Sequence, residues 1–429
     1  MARPTLGESL SEFVGSPRFT SALATASIGT GILSWALRNV IGWAGLIAIL
    51  STLVLLAGAS MWSRRDTFDR VLFVPTSLIV FLGWAVLSLF WSQYQWATVG
   101  GLAALGAYTA LAIYITLVRD TIQVIRTFGD VLRFVLVVSL ALEVLSGLLI
   151  DSPISFLSIE AHLADGGPIS GLLGNRNELG LLAVIGAVTF VIEWRTVSIP
   201  RGRAIGSLVL ATFTLALTRS PIAWGTAVVA VLVLAALYGL RRAPAGQRRV
   251  LHFVALGLAL IAAAVAWSLR TPIINALNGT GELTYRLRLW QEVWTLLKVH
   301  SVEGWGWIGQ WNDGFAPYAT FGIGSGRASS SAVNAYLDVW FQLGFVGLAI
   351  FVGMLGLAFV RSWLLAARQR TVVYMWPAVV LAALMTASLA ESGILIEFGW
   401  MIFVICCVNA SQNLSWRTAL RRPLEQEPL

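Results

Sequence analysis

RTPIINALNGTGELTYRLRLWQEVWTLLKVHSVEGWGWIGQWNDGFAPYATFGIGSGRASSSA, residues Arg270 to Ala332, is the only long stretch in the second half of the chain that could not lie in a bilayer. It holds the cations Arg270, Arg286, Arg288, Lys298 and Arg327 and the tryptophans Trp290, Trp294, Trp305, Trp307 and Trp311. Apolar runs of membrane-crossing length flank it, so it reads as a large loop between spans. Guanidinium groups interleaved with indoles suit an anionic substrate at a membrane surface.

Outward from that loop the composition excludes a soluble protein. The 429 residues are 57% hydrophobic and 12% charged, with a mean hydropathy of +0.79. A helix crossing a core of ~30 Å needs about 20 apolar residues. The sequence predicts an all-α multi-pass membrane protein with about twelve such helices, near Thr20–Leu37, Val40–Ser60, Val71–Trp91, Trp96–Val118, Val131–Ile150, Glu178–Trp194, Ala204–Thr218, Pro221–Leu240, Val250–Leu269, Val333–Val360, Thr371–Ala390 and Leu395–Ala410. Residues 1–269 thus carry spans one to nine, 270–332 the large external loop, and 333–429 spans ten to twelve with a tail. The runs are continuous rather than alternating, which excludes a barrel. Adjacent Cys406 and Cys407 make no disulfide framework, and three histidines without ligand spacing predict no metal.

The net charge of +8 does not point to nucleic acid, because most arginines fall in every second link between spans. Arg64, Arg65 and Arg70 are followed by Arg119, Arg126 and Arg133, then Arg195, Arg201 and Arg203, and then Arg241, Arg242, Arg248 and Arg249. Arg361, Arg368 and Arg370 come next, before Arg417, Arg421 and Arg422 on the tail. The positive-inside rule then puts both termini in the cytoplasm of a cell membrane and leaves Arg38, Arg176, Arg219, Arg270, Arg286, Arg288, Lys298 and Arg327 outside. At a span end an arginine either snorkels or meets an anion.

Five outer segments carry candidate chemistry. Gly171-Leu172-Leu173-Gly174-Asn175-Arg176-Asn177-Glu178-Leu179-Gly180 combines a turn at Gly174 with Asn177 as a cap of the sixth span, facing either an anion or nothing but water. Thr218-Arg219-Ser220-Pro221 is a tight link that holds Arg219, with its planar fork of donors, at the membrane face. Leu283, Leu287, Trp290, Trp294 and Leu297 follow helical spacing and predict an amphipathic helix lying in the interface, with Arg286 and Arg288 at its start. Gly304-Trp305-Gly306-Trp307-Ile308-Gly309-Gln310-Trp311 is either a platform for sugar faces or an interfacial anchor. Asn334, Tyr336 and Asp338 open the tenth span, and Glu391 stands near the outer end of the eleventh, where it is either functional or bridged to an outer arginine.

These stretches resemble the O-antigen ligase and O-antigen polymerase superfamily of polytopic glycosyltransferases. The likeness is carried by Gly174-Asn175-Arg176-Asn177-Glu178-Leu179-Gly180, by Thr218-Arg219-Ser220, by Arg286-Leu287-Arg288-Leu289-Trp290 with His300 and Gly304-Trp305-Gly306, and by Asn334-Ala335-Tyr336-Leu337 with Gly344 and Gly347. The resemblance implies a GT-C-like helical fold and transfer of a glycan from an undecaprenyl (polyprenyl) pyrophosphate carrier to a glycan or glycolipid acceptor. That transfer runs at the outer face of the membrane, in cell-envelope polysaccharide biosynthesis, with no cofactor or metal and no nucleic acid partner. It implies Arg219 and Arg286 as the pyrophosphate clamp, with Arg288, Arg176, Asn177, Asn334, Trp305, Trp307 and Tyr336 around the substrates. The family usually has a histidine immediately before the asparagine, where this chain has Val333. The base is then another residue, with Glu391 first, or a histidine position two residues earlier at Ser331 has been lost, or the chain is an impaired copy that binds its donor. A twelve-span transporter or flippase of lipid-linked glycan is the competing class.

Overall fold

The computed structural model describes residues 12–65, 74–268, 280–321 and 329–413. Arg70, Arg270, Arg327, Arg417, Arg421 and Arg422 lie outside them. Helices make up most of the described chain: α1 Pro17–Ser63, α2 Thr76–Leu87, α3 Gln95–Val118, α4 Thr121–Val144, α5 Arg176–Arg195, α6 Arg201–Thr218, α7 Pro221–Arg242, α8 Arg248–Ser268, α9 Thr280–Leu297, α10 Ala335–Arg368, α11 Met375–Ala387 and α12 Glu397–Asn413. Six of these, counting α4 with its π-helical continuation to Ile150, are long and apolar enough to cross a membrane. Every predicted span coincides with a helix or a helix arm. The first two are the arms of α1, which breaks at Gly42 (φ 74°) and folds back so that Arg64 donates to the Gly15 carbonyl.

The centre of the bundle is built from α5, α11 and α12. Along α11, Val379, Val380, Leu381, Ala383 and Leu384 are all buried, and α12 is buried from Trp400 to Val408. A helix that is apolar all round packs on every side. Its few polar hooks are internal: Trp376 Nε1 donates to Thr189 Oγ1 at 2.9 Å and Trp400 Nε1 to Thr109 Oγ1 at 2.8 Å. By contrast α6, α7 and α8 expose Val209, Phe213, Val231, Leu232, Leu258 and Ile261. Bare apolar side chains of that kind suit lipid.

Contacts sort the links into two ends, as the charge alternation requires. Arg64 meets Gly15, Thr121 meets Asn409, Arg195 meets Tyr238 and Arg241 meets the Arg370 carbonyl at one end. At the other, Arg38 donates to Gln310 and Glu397, Trp91 to the Glu303 carbonyl, and Asn177 to Glu391. All five candidate segments gather at this second end.

Candidate active site

The large loop is anchored by a break in α10. Gly344 has φ 68°, and the interruption frees backbone groups on both sides of it. The Phe341 and Gln342 carbonyls accept from the amides of Trp305 at 3.0 Å and Gly306 at 2.8 Å, while the Phe345 amide donates to the Ser301 carbonyl at 2.9 Å. A side chain at Gly344 would run into the Val302 carbonyl, so the close approach and the left-handed backbone both require glycine there. One turn earlier, Asp338 and Gln342 fasten the same loop. Asp338 Oδ1 accepts from Trp311 Nε1 and from Gln342 Nε2, both at 2.8 Å, and Gln342 Oε1 accepts from the amides of Ile308 and Gly309.

This anchoring corrects the expectation of a tryptophan platform. Trp307 is 0% exposed and meets Phe81 edge-on, with ring centroids 6.0 Å apart, so no face of it is open to a sugar. Trp311 is buried among Tyr318, Phe321 and Phe341. Trp305 is half-buried between His300 and Phe341. Alternation of glycine and tryptophan serves close backbone packing followed by side-chain insertion.

Helix α9 is amphipathic as predicted, but with two apolar faces. Leu289, Val293 and Leu297 pack on the loop, whereas Leu287 and Trp294, 52% and 46% exposed, lie off that face, with Trp294 edge-on to Trp340 of α10. Because α9 begins at Thr280, Arg286 stands in its second turn rather than at its start. It lies on the packed face and is 5% exposed. Its guanidinium donates to Glu391 Oε1 at 3.0 Å, to Glu282 Oε1 at 3.3 Å, to the Val333 carbonyl at 3.3 Å and to the Ala390 carbonyl.

Glu391 occupies the turn between α11 and α12, and the same Oε1 accepts from Asn177 Nδ2 at 2.7 Å. Asn177 Oδ1 in turn accepts from Ser220 Oγ at 2.7 Å. One connected network therefore joins three of the four stretches that carry the resemblance to the turn after α11. Glu391, expected to be either functional or bridged to an outer arginine, is bridged to Arg286, and burial pushes its carboxyl up while Arg286 and Asn177 pull it back. Asn177 does not cap α5. Asn175 does, through Oδ1 to the Asn177 amide at 2.8 Å, which leaves the Asn177 side chain free for the network. Ser220 caps α7, with Pro221 in the first turn.

The remaining candidates surround this network without joining it. Arg219, left-handed at φ 47°, is exposed and reaches the Asp165 carbonyl at 2.9 Å. Arg176 is half-buried and Arg288 exposed, and neither has a hydrogen bond or ion pair among the described residues. Asn334 caps α10 by accepting from the Tyr336 and Leu337 amides, both at 3.0 Å, and ties its Nδ2 to the Leu389 carbonyl. With Trp290, Trp294, Tyr336 and Trp340 it lines a groove of about 570 Å³. Val333, between Arg286 and that groove, holds φ 49°. A β-branched side chain is strained there.

Three acids were overlooked in the sequence. Glu143, 1% exposed in α4, accepts from the Ser170 and Gly171 amides at 2.9 and 2.8 Å and so fixes the approach to Gly174. Glu397 pairs with Arg38 at 3.1 Å, and Glu178 lines a narrow cleft with Asn177, Glu391 and Gly393. A lone carboxylate inside an apolar run is itself a signal, and Glu143 carried it.

No curated protein matches the chain. Residues 206–352 match the family described as O-antigen ligase, a span that includes Arg219, Arg286, Val333 and the break at Gly344. The match supports an O-antigen ligase/polymerase-like family, and glycosyl transfer at that general level.

Proposed function

We propose that the chain transfers a glycan from a polyprenyl (undecaprenyl) pyrophosphate carrier to a glycan or glycolipid acceptor at the outer face of the cytoplasmic membrane. The observation that carries this reading is the network Ser220–Asn177–Glu391–Arg286, which draws the family's stretches together at one end of the bundle. That end lacks the basic links, and the positive-inside rule assigns it to the outer side.

In the reaction the acceptor hydroxyl oxygen bonds the anomeric carbon while that carbon's bond to the pyrophosphate breaks. The electron pair leaves on the pyrophosphate, whose growing charge falls to the guanidiniums of Arg286 and Arg219, with Arg288 two residues on from Arg286 and Arg176 next to Asn177 as further cations. Glu391, rather than the usual histidine, takes the acceptor's proton. The groove beside Asn334 suits the carrier's hydrocarbon rather than a sugar, because its walls spend their polar atoms inward. Trp290 Nε1 donates to the Ala332 carbonyl, Tyr336 Oη to that of Met385 and Trp340 Nε1 to that of Ser301.

Purified protein incubated with polyprenyl-pyrophosphate-linked glycan and candidate acceptors should form product. Arg219→Ala should slow it by roughly 10²- to 10³-fold, as removal of a charge-stabilising donor does elsewhere. Because Arg219 is exposed, the variant should keep the parent's melting temperature. Transfer at the parent's rate would remove Arg219 from the site. Turnover only after Val333→His would instead identify a copy that has lost its base.

A further inference from the structure

Arg286 and Glu391 occupy one another. The guanidinium is 5% exposed and directs its donors to Glu391, Glu282 and two backbone carbonyls. In that state it has no fork to offer a pyrophosphate. The Glu391 oxygen it holds also accepts from Asn177, so that oxygen is in no position to take a proton. Glu391 Oε2 accepts no hydrogen bond among the described residues, and the side chain remains 14% exposed.

We infer that the donor's pyrophosphate and Glu391 compete for Arg286, so that seating the donor releases Glu391 to act as the acceptor's base. The inference rests on the glycosyl transfer proposed above. Its physical basis is the nature of the partners. A pyrophosphate offers several charged oxygens in the geometry a guanidinium fork matches bidentately, whereas Glu391 offers one oxygen to one Nη.

Once Arg286 turns to phosphate, Glu391 loses its cation and gains an anionic neighbour. Both changes raise its affinity for a proton. Displacement requires little. Glu391 lies in a turn, the cleft of Asn177, Glu178, Leu181, Thr226 and Gly393 adjoins it, and Asn177, braced by Ser220, keeps hold of the carboxylate. The step balances: the acceptor proton passes to Glu391, the acceptor oxygen bonds the anomeric carbon, and the polyprenyl pyrophosphate leaves with the electron pair. Binding is thereby ordered, donor before acceptor.

The test is donor affinity, because competition predicts tighter binding once the Glu391 charge is removed, whereas a carboxylate that merely holds Arg286 in place predicts weaker binding. Full-length protein in nanodiscs is titrated with farnesyl pyrophosphate, for the parent, Glu391→Gln and Glu391→Asp. Glu391→Gln keeps the acceptor for Asn177 but removes the competing charge, and it should bind about tenfold tighter, a change of 1.4 kcal/mol. Its glycan transfer should fall by roughly 10²-fold or more, the ordinary loss of a general base. Glu391→Asp, drawn back by one methylene, should bind tighter by a smaller factor and retain part of its transfer. Unchanged or weaker binding in both variants, with normal binding by the parent, overturns the competition alone. Absence of pyrophosphate binding by the parent overturns the proposed function with it.

Discussion

Two buried carboxylates at the same end of the bundle make an instructive pair. Asp338 is 1% exposed, and its oxygens accept from Trp311 Nε1, Gln342 Nε2 and the Ala332 amide, all neutral donors from its own loop and helix. Glu391 accepts from the Asn177 amide and a guanidinium brought from distant elements, with its second oxygen unclaimed among the described residues. A carboxylate closed off by neutral donors fixes a loop in place, because rearranging it strands several polar groups at once. A carboxylate held by a cation, and partly open, exchanges partners when another anion arrives. The difference separates architecture from chemistry where composition alone cannot.

The largest effect should follow from breaking the charged member of the pair. Arg286→Ala leaves Glu391 without its cation, and loss of one partner from a buried pair costs about 3–5 kcal/mol. Thermal unfolding in detergent should register that loss together with abolished transfer. A variant that melts like the parent would show that Glu391 is solvated. On the architectural side, Trp307→Ala should cost roughly 3–5 kcal/mol as a cavity in the core, without altering which acceptor is used. Lost transfer at an unchanged melting temperature would return this ring to the sugar. The smallest effect concerns the residue between the two regions. Val333→Gly, at φ 49°, should stabilise by about 1 kcal/mol through relief of the left-handed backbone. An unchanged or lower melting temperature would show that Val333 is not strained.

Much of the fold was legible because its causes are local. Twelve apolar runs and an alternating charge record specify helices and their two ends without reference to packing, and the tight link at Ser220-Pro221 and the amphipathic α9 follow from short-range spacing. The face of α9 was misjudged for a physical reason. Leu283, Leu287, Trp290, Trp294 and Leu297 form one regular stripe, but Leu289 and Val293 make a second apolar face with Leu297, and periodicity does not say which one the protein takes. The tryptophan-rich run was ambiguous for the same reason, since an indole satisfies a sugar, a headgroup layer or a core equally well. Cap preference, being local, points to Asn177 as a cap. Its actual partners, Ser220 and Glu391, are 43 and 214 residues away in the chain.

By itself the sequence determined that this is a helical membrane protein, where its apolar helices run, and which stretches collect at one end, since hydropathy and charge act residue by residue. Only the tertiary structure decided that Arg286 faces inward, that Trp307 is core, and that Glu391 joins the stretches from α5, α7 and α9. Those outcomes depend on which side chains meet across several helices, and a hydrogen bond between distant residues leaves no trace in the spacing of either.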